Sequence, residues 1–331
     1  MMKFLFINSK SPDYIEDQLF SALTEIFGKQ SVRAYPVNYR YYIQRKAYPL
    51  NMGKCRTASD FIIDKLTLKN ELKAFEYDCV IIGSTKRDTF ENFLEISDHM
   101  PDNIPLIYLD GGDFAEVGGD ATRLGFESLY NSVTNNYKFK HIFKREFLID
   151  KKYADNVYPF PMSFKLQPID FPVEKKYDVT CWCVESDPIR TQALSILENL
   201  YDCRSNGTTL GQTFRKYKRK GLGYLSELGS SRISCNFRGV GWDTLRYWEI
   251  PAVQSLMVSQ KPGIVIPNNF IHGEHVLFCK DDLSDLTDLL DYYLLHDDET
   301  KEISASAHTF LMNHHTNIQR AEYFLEIVSS K

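Results

Sequence analysis

The stretch Asn236-Phe237-Arg238-Gly239-Val240-Gly241-Trp242-Asp243-Thr244-Leu245-Arg246-Tyr247-Trp248-Glu249-Ile250-Pro251-Ala252 gathers residue types that handle anions and hydroxyls. Its pattern predicts a strand ending at Phe237, a glycine-containing loop, and a helix starting near Asp243, a good N-cap residue. Gly239 and Gly241 would let the backbone approach an anion. The helix N-terminus, with Thr244 among its first residues, offers free N–H groups to phosphate. Arg246 and Glu249 are three apart and share one helix face. The guanidinium is a planar charged fork suited to a pyrophosphate, and a carboxylate one turn further on can accept both hydroxyls of a ribose. Taken alone, Arg-x-x-Glu also fits a surface ion pair on an ordinary helix.

Other candidates are more scattered. Asp110-Gly111-Gly112-Asp113 follows an apolar run that reads as a strand, so Asp110 or Asp113 could act as general base for an acceptor hydroxyl; a turn with solvated aspartates is the plainer reading. Of the two, Asp113 lies beyond the glycines and is the better placed. Ser9, Lys10 and Ser11 follow the first expected strand. Arg190, in the loop Glu185-Ser186-Asp187-Pro188-Ile189-Arg190, is a phosphate candidate or a solvated helix residue. Residues 35–48 are rich in Tyr and carry Arg40 and Arg45, which fits an acceptor-binding loop, a partly buried aromatic surface or a subunit contact. Gly221-Leu222-Gly223 reads as a turn. His314-His315 and His272 with His275 lack metal-site spacing, and His141 stands alone. Cys181 and Cys183 share a strand face and read as core. There is no phosphate loop, GxSxG, HExxH, clean GxGxxG or DxD at a strand end.

These residues need a scaffold, and the 331-residue chain supplies one. At 43% hydrophobic and 25% charged residues it has ordinary globular composition, which excludes disorder for the bulk of it. The net charge of −5 argues against broad nonspecific nucleic-acid binding. No apolar run approaches the roughly 20 residues that cross a bilayer, and the start does not read as a secretory signal. Seven scattered cysteines with no CxxC argue against a disulfide framework and point to a reducing cytoplasm. Strand, helix and strand patterns open the chain, with strands expected at 3–8, 31–35, 78–84, 105–110 and 140–143 and helices at 13–27 and 89–100. Proline-rich residues 158–176 read as the linker. A second series follows, with strands at 178–183, 231–237, 263–267 and 275–278 and helices at 188–200, 244–257, 283–295 and 299–327. The expected fold is α/β, two Rossmann-like domains facing a cleft, with domains at 1–172 and 173–312 and a terminal helix, 313–331, that can pack back on the first domain.

The order of the carboxy-terminal features carries a resemblance. After the Arg-x-x-Glu-x-x-Ala helix come Lys261-Pro262-Gly263, Gly273-Glu274-His275-Val276, Asp281-Asp282-Leu283, and finally His315-Thr316 and Arg320-Ala321. This series, over residues 231–325, resembles the donor half of GT-B-fold glycosyltransferases of the group-1 type, including the spore-maturation CgeB-like proteins. The resemblance implies transfer of a sugar from a nucleotide-diphosphate sugar to a glycan, lipid-linked or protein acceptor, in the cytoplasm or at the inner membrane, with no cofactor and no metal. It implies that Glu249 binds the ribose and that Arg246 lies near the diphosphate. Retaining relatives often carry a second glutamate eight positions earlier, where this chain has Gly241; the stereochemical outcome is therefore open. A non-catalytic nucleotide- or sugar-binding protein, or a sugar-nucleotide epimerase on the same fold, are the alternatives.

Overall fold

A computed structural model describes residues 2–43, 47–50, 52, 65–169, 173–201, 203, 207–208 and 221–330. The chain divides into two compact units. The first holds residues 1–44, 49–162 and 317–331, and the second holds 45–48 and 163–316. The division thus falls at 162/163 and 316/317, against the expected 172/173 and 312/313.

The first unit contains β1 (Phe4–Ile7), α1 (Tyr14–Phe27), β2 (Val32–Tyr35), α2 (Lys65–Lys73), β3 (Cys79–Ile82), α3 (Arg87–Leu94), β4 (Leu106–Asp110), α4 (Gly119–Arg123), α5 (Glu127–Asn136), β5 (Phe139–Lys144) and β6 (Val157–Pro159). Its sheet is wholly parallel in the order β2-β1-β3-β4-β5-β6. Every residue of β1 and β3 is buried, as continuous apolar runs covered on both faces require. Asp13 caps α1 by accepting the Glu16 N–H, and Gly28 ends it at φ 80°. Asp110 closes β4, and Pro159 sits in the edge strand, where its missing N–H costs no ladder bond.

One side of α1 buries charge. Arg40 is fully buried and forks onto Asp17, with Nε–Oδ2 and Nη2–Oδ1 both 2.9 Å. Glu16 is also fully buried, 3.8 Å from the same guanidinium. Neither of its carboxylate oxygens has a hydrogen-bond partner among the described residues. It lies over Gly83, where a Cβ would come within 2.4 Å of Oε1. Burial first, then the neighbouring Asp17 and Asp13, push the Glu16 carboxyl well above the usual carboxylate range.

The second unit contains β7 (Tyr177–Thr180), β8 (Cys183–Val184), α6 (Pro188–Leu197), β9 (Gly207–Thr208), α7 (Leu222–Gly229), β10 (Ser231–Asn236), α8 (Leu245–Ala252), β11 (Leu256–Gln260), β12 (Leu277–Cys279), α9 (Leu286–Leu295) and α10 (Asp297–His314). Four strands form a parallel sheet in the order β12-β11-β10-β7, and β8 pairs with β9. The core gathers Val179, Ile233, Leu256, Val258 and Leu277 from the strands with Leu197, Leu286 and Leu290 from the helices.

Several expected boundaries move. The third strand of this sheet is 256–260, not 263–267: the apolar run after α8 is a buried strand, and Pro262 and Pro267 hold the next segment outside the sheet. The strand expected at 178–183 ends at Thr180, so Cys181 and Cys183 are core neighbours without belonging to one strand. The helix expected over 299–327 breaks at His315 and Thr316. There the His315 carbonyl accepts the Phe164 N–H at 2.9 Å, and Phe164 bridges to Thr316. Beyond the break, α11 (Asn317–Ser329) belongs to the first unit, packed on α1, with Phe324 against Phe143 and Phe160.

Candidate functional site

The carboxyl edge of β10 positions the candidate donor residues. α8 starts one residue later than expected, with Thr244 as N-cap in an extended conformation. The Thr244 hydroxyl donates to Asn236 Oδ1 at 2.7 Å, and Asn236 donates to Ser259 Oγ at 3.1 Å. The start of the helix is thereby tied to the ends of two neighbouring strands. Asp243 is not the cap; its buried carboxylate accepts the Trp248 indole N–H at 2.9 Å.

Arg246 and Glu249 stand on α8 one turn apart, but they are not a solvated surface pair. Glu249 is buried, and each carboxylate oxygen accepts a tyrosine hydroxyl: Oε1 from Tyr48 at 2.5 Å, Oε2 from Tyr224 at 3.0 Å. Burial raises the Glu249 carboxyl above its usual range, and the Tyr48 hydroxyl and the Arg246 charge draw it back. Arg246 is half-buried, and its Nε–H has no hydrogen-bond partner among the described residues.

Arg190 is neither solvated nor open. Its guanidinium donates to the Phe237 carbonyl (2.9 Å), the Val184 carbonyl (2.8 Å) and Ser186 Oγ (3.1 Å). Burial, then the nearby Arg246 charge, bring it down to about 10, so it stays charged at neutral pH. Gly239 makes room for it: a Cβ there would sit 3.0 Å from Nη2. The Gly239 N–H donates to the Gly241 carbonyl at 2.9 Å, closing the turn. Arg238 lies over the Trp242 ring at 4.5 Å and pairs with Asp187 at 3.3 Å. The loop and the first turn of α8 thus carry two cationic side chains, Arg238 and Arg246, with a third, Arg190, bracing the loop.

In the first unit the two aspartates separate. Asp113 is partly exposed and ion-paired with Arg145. Asp110 is wholly buried, 3.2 Å from Lys144 Nζ, and accepts the Gly118 N–H at 2.9 Å. Burial raises its carboxyl and Lys144 opposes the shift. This places Asp110 as the support that folds the 111–118 loop onto the strand end, not as a group open to an acceptor. The tyrosine-rich segment is partly buried: Tyr41 stacks on Phe20 at 4.0 Å and Arg40 is the buried partner of Asp17, while Tyr39 is exposed. Arg45 lies outside the described residues. Gly221 precedes α7, so Gly223 is helical rather than part of a turn. His272 and His275 each accept a backbone N–H through Nδ1.

The sequence pattern gives Tyr48, Tyr224 and Arg238 no role at the donor site. The tyrosine-rich run was the signal for the first, and Arg238 lies within the loop itself. Tyr224 follows three residues that look like a turn.

Two parallel, helix-covered sheets, one carrying an arginine–glutamate helix at its carboxyl edge, define the GT-B architecture. Residues 192–326 match the family model described as glycosyl transferase-like. Similar solved structures span essentially the whole chain. HepE of Anabaena in complex with UDP is 13% identical, with TM-score 0.62 over 100% of both chains. An alpha-glucosyltransferase in complex with UDP-glucose and DNA containing an abasic site is 10% identical, with TM-score 0.59 over 99% of both. Sucrose-phosphate synthase of Thermosynechococcus elongatus is 10% identical, with TM-score 0.53 over 99% of this chain and 98% of that one. No curated protein sequence matches the chain. The fold is therefore of the GT-B type, and the glycosyl transferase-like match lies in its carboxy-terminal part. Among the described residues no helix is long and apolar enough to cross a membrane.

Proposed function

We propose that the protein moves a sugar from a nucleotide-diphosphate sugar to an acceptor hydroxyl without a resident metal, as a relative of the group-1-type, CgeB-like enzymes. The observation that carries this reading is the buried Glu249 carboxylate one helical turn beyond Arg246, at the carboxyl edge of a parallel sheet, where α/β folds take their ligands. In this reading Glu249 accepts the ribose hydroxyls. Arg246 and the first N–H groups of α8 after Thr244 hold the diphosphate and stabilise it as it leaves. Gly239 and Gly241 keep the loop low, and Arg190 fixes that loop rather than touching phosphate. Asp113 takes the acceptor proton if the displacement is direct. The acceptor is a glycan, a lipid-linked intermediate or a protein.

The test is calorimetric titration with UDP, ADP and GDP and their sugars, followed by donor turnover. One nucleoside diphosphate binds, and Glu249→Ala weakens it about tenfold or more while the protein still folds. Absence of binding, or wild-type affinity in the variant, ends this reading of the site. Gly241, at the position of the second glutamate of retaining relatives, favours one other reading, binding of the nucleotide sugar without transfer; donor turnover separates the two.

A further inference from the structure

A buried carboxylate meant for a ribose diol faces a problem when the site is empty. Left without donors, a buried carboxylate is costly. In this chain two phenol hydroxyls meet that need, one on each oxygen, as two ribose hydroxyls could. The two tyrosines are not equivalent. Tyr224 stands on α7, in the same unit and close in sequence to α8, and its hydroxyl also interacts with Arg246. It therefore links the two candidate ligand residues. Tyr48 comes from a turn 201 positions earlier in the chain, yet it belongs to the second unit and reaches Oε1 at 2.5 Å.

We propose that Tyr48 is a built-in stand-in for a ribose hydroxyl: it caps Glu249 in the empty site, and a nucleotide binds by exchanging that hydrogen bond for one from its own sugar, while Tyr224 stays and positions the carboxylate. This rests on the reading of Glu249 as the ribose ligand. Exchange keeps the carboxylate satisfied in both states, so it never waits unpaired in a dry pocket. It also sets affinity, because the ligand gains only the difference between its own hydrogen bond and the one it displaces. A nucleotide lacking a hydroxyl there has nothing to exchange.

The two tyrosines then have opposite effects. Tyr48→Phe removes a bond present only in the empty protein, so nucleotide binds more tightly, by about tenfold or more for a hydrogen bond to a charged group. Tyr224→Phe removes a bond present in both states and loosens the carboxylate, so binding weakens. The experiment is calorimetry on wild type, Tyr48→Phe, Tyr224→Phe and Glu249→Gln, with whichever of UDP, ADP and GDP binds wild type most tightly. Urea unfolding with and without saturating nucleotide runs in parallel. The expected result is a lower Kd for Tyr48→Phe, higher Kd values for the other two variants, and a stability deficit in Tyr48→Phe that closes at saturation. An unchanged or raised Kd for Tyr48→Phe, with Glu249→Gln still weakened, overturns the exchange alone. Wild-type affinity in Glu249→Gln, or no binding to wild type, overturns the ribose reading and the exchange together.

Discussion

Glu16 and Asp17 compete for one guanidinium, and Asp17 holds its fork. Asp17 is raised to about 6 by burial despite that partner, and burial, with the Asp17 and Asp13 charges beside it, raises Glu16 well above the usual carboxylate range. Both carboxyls hold protons more tightly folded than unfolded. Their contribution to stability is therefore complete below the ordinary carboxylate range and is lost as pH rises through the folded values. Urea unfolding of wild type should show stability falling from about pH 4 upward, and Glu16→Gln should flatten that slope; an equal slope in both would remove Glu16 as its source. At the proposed donor site, Arg246→Lys keeps the charge and loses the fork, so donor turnover should fall while the unfolding midpoint barely moves. Asp113→Asn should keep nucleotide binding and lose about 10²–10⁴ in turnover if Asp113 is the base; full turnover would exclude it. Little at this scale was legible beforehand. An Asp or Arg on a helix reads as solvated until the residue facing it is known, and the partners of Asp110, Asp17 and Glu249 lie 34, 23 and 201 positions away.

At the scale of elements, the loop between β10 and α8 is shaped by a side chain from another helix. Arg190 reaches from α6 to the Phe237 and Val184 carbonyls, and Gly239 leaves the space for it. Arg190→Met should cost about 2–4 kcal/mol in urea unfolding, because it strips buried carbonyls of their donor. A residue that only met a ligand's phosphate would leave the stability of the empty protein unchanged, so a null effect would return Arg190 to the phosphate role. Local pattern carried much here. The α8 register put Arg246 and Glu249 on one face, and the Asp187-Pro188 start of α6 was readable, with Asp187 accepting the Ile189 N–H at 3.0 Å. The pattern failed where apolar runs leave the period ambiguous. The turn at 253–254, with Gln254 at φ 54°, carries no glycine or proline, so residues 256 and 257 read as the end of the helix, while β-rich 263–267 had the composition of a strand but carries prolines at its borders.

At the scale of the whole chain, the parallel α/β character was legible because each strand is a short apolar block between helical periods. The path of the chain was less so, since nothing local in residues 45–48 or 317–331 says which unit they join. Ending the chain after Thr316 removes α11 and uncovers Phe143, Phe160 and the α1 face it packs on. That truncation should lower the unfolding midpoint and increase binding of an apolar dye, and the first unit's tryptic fragments should appear before the second's. Loss from the second unit first would contradict this account. The same placement fixes an order in time. As the polypeptide leaves the ribosome from its amino end, α1 and the six-stranded sheet emerge first, but the helix that completes their packing emerges last, after every residue of the second unit. The unit made first is thus finished second. Its apolar flank stays uncovered through the synthesis of some 150 further residues, an interval in which exposed apolar surface favours aggregation over folding.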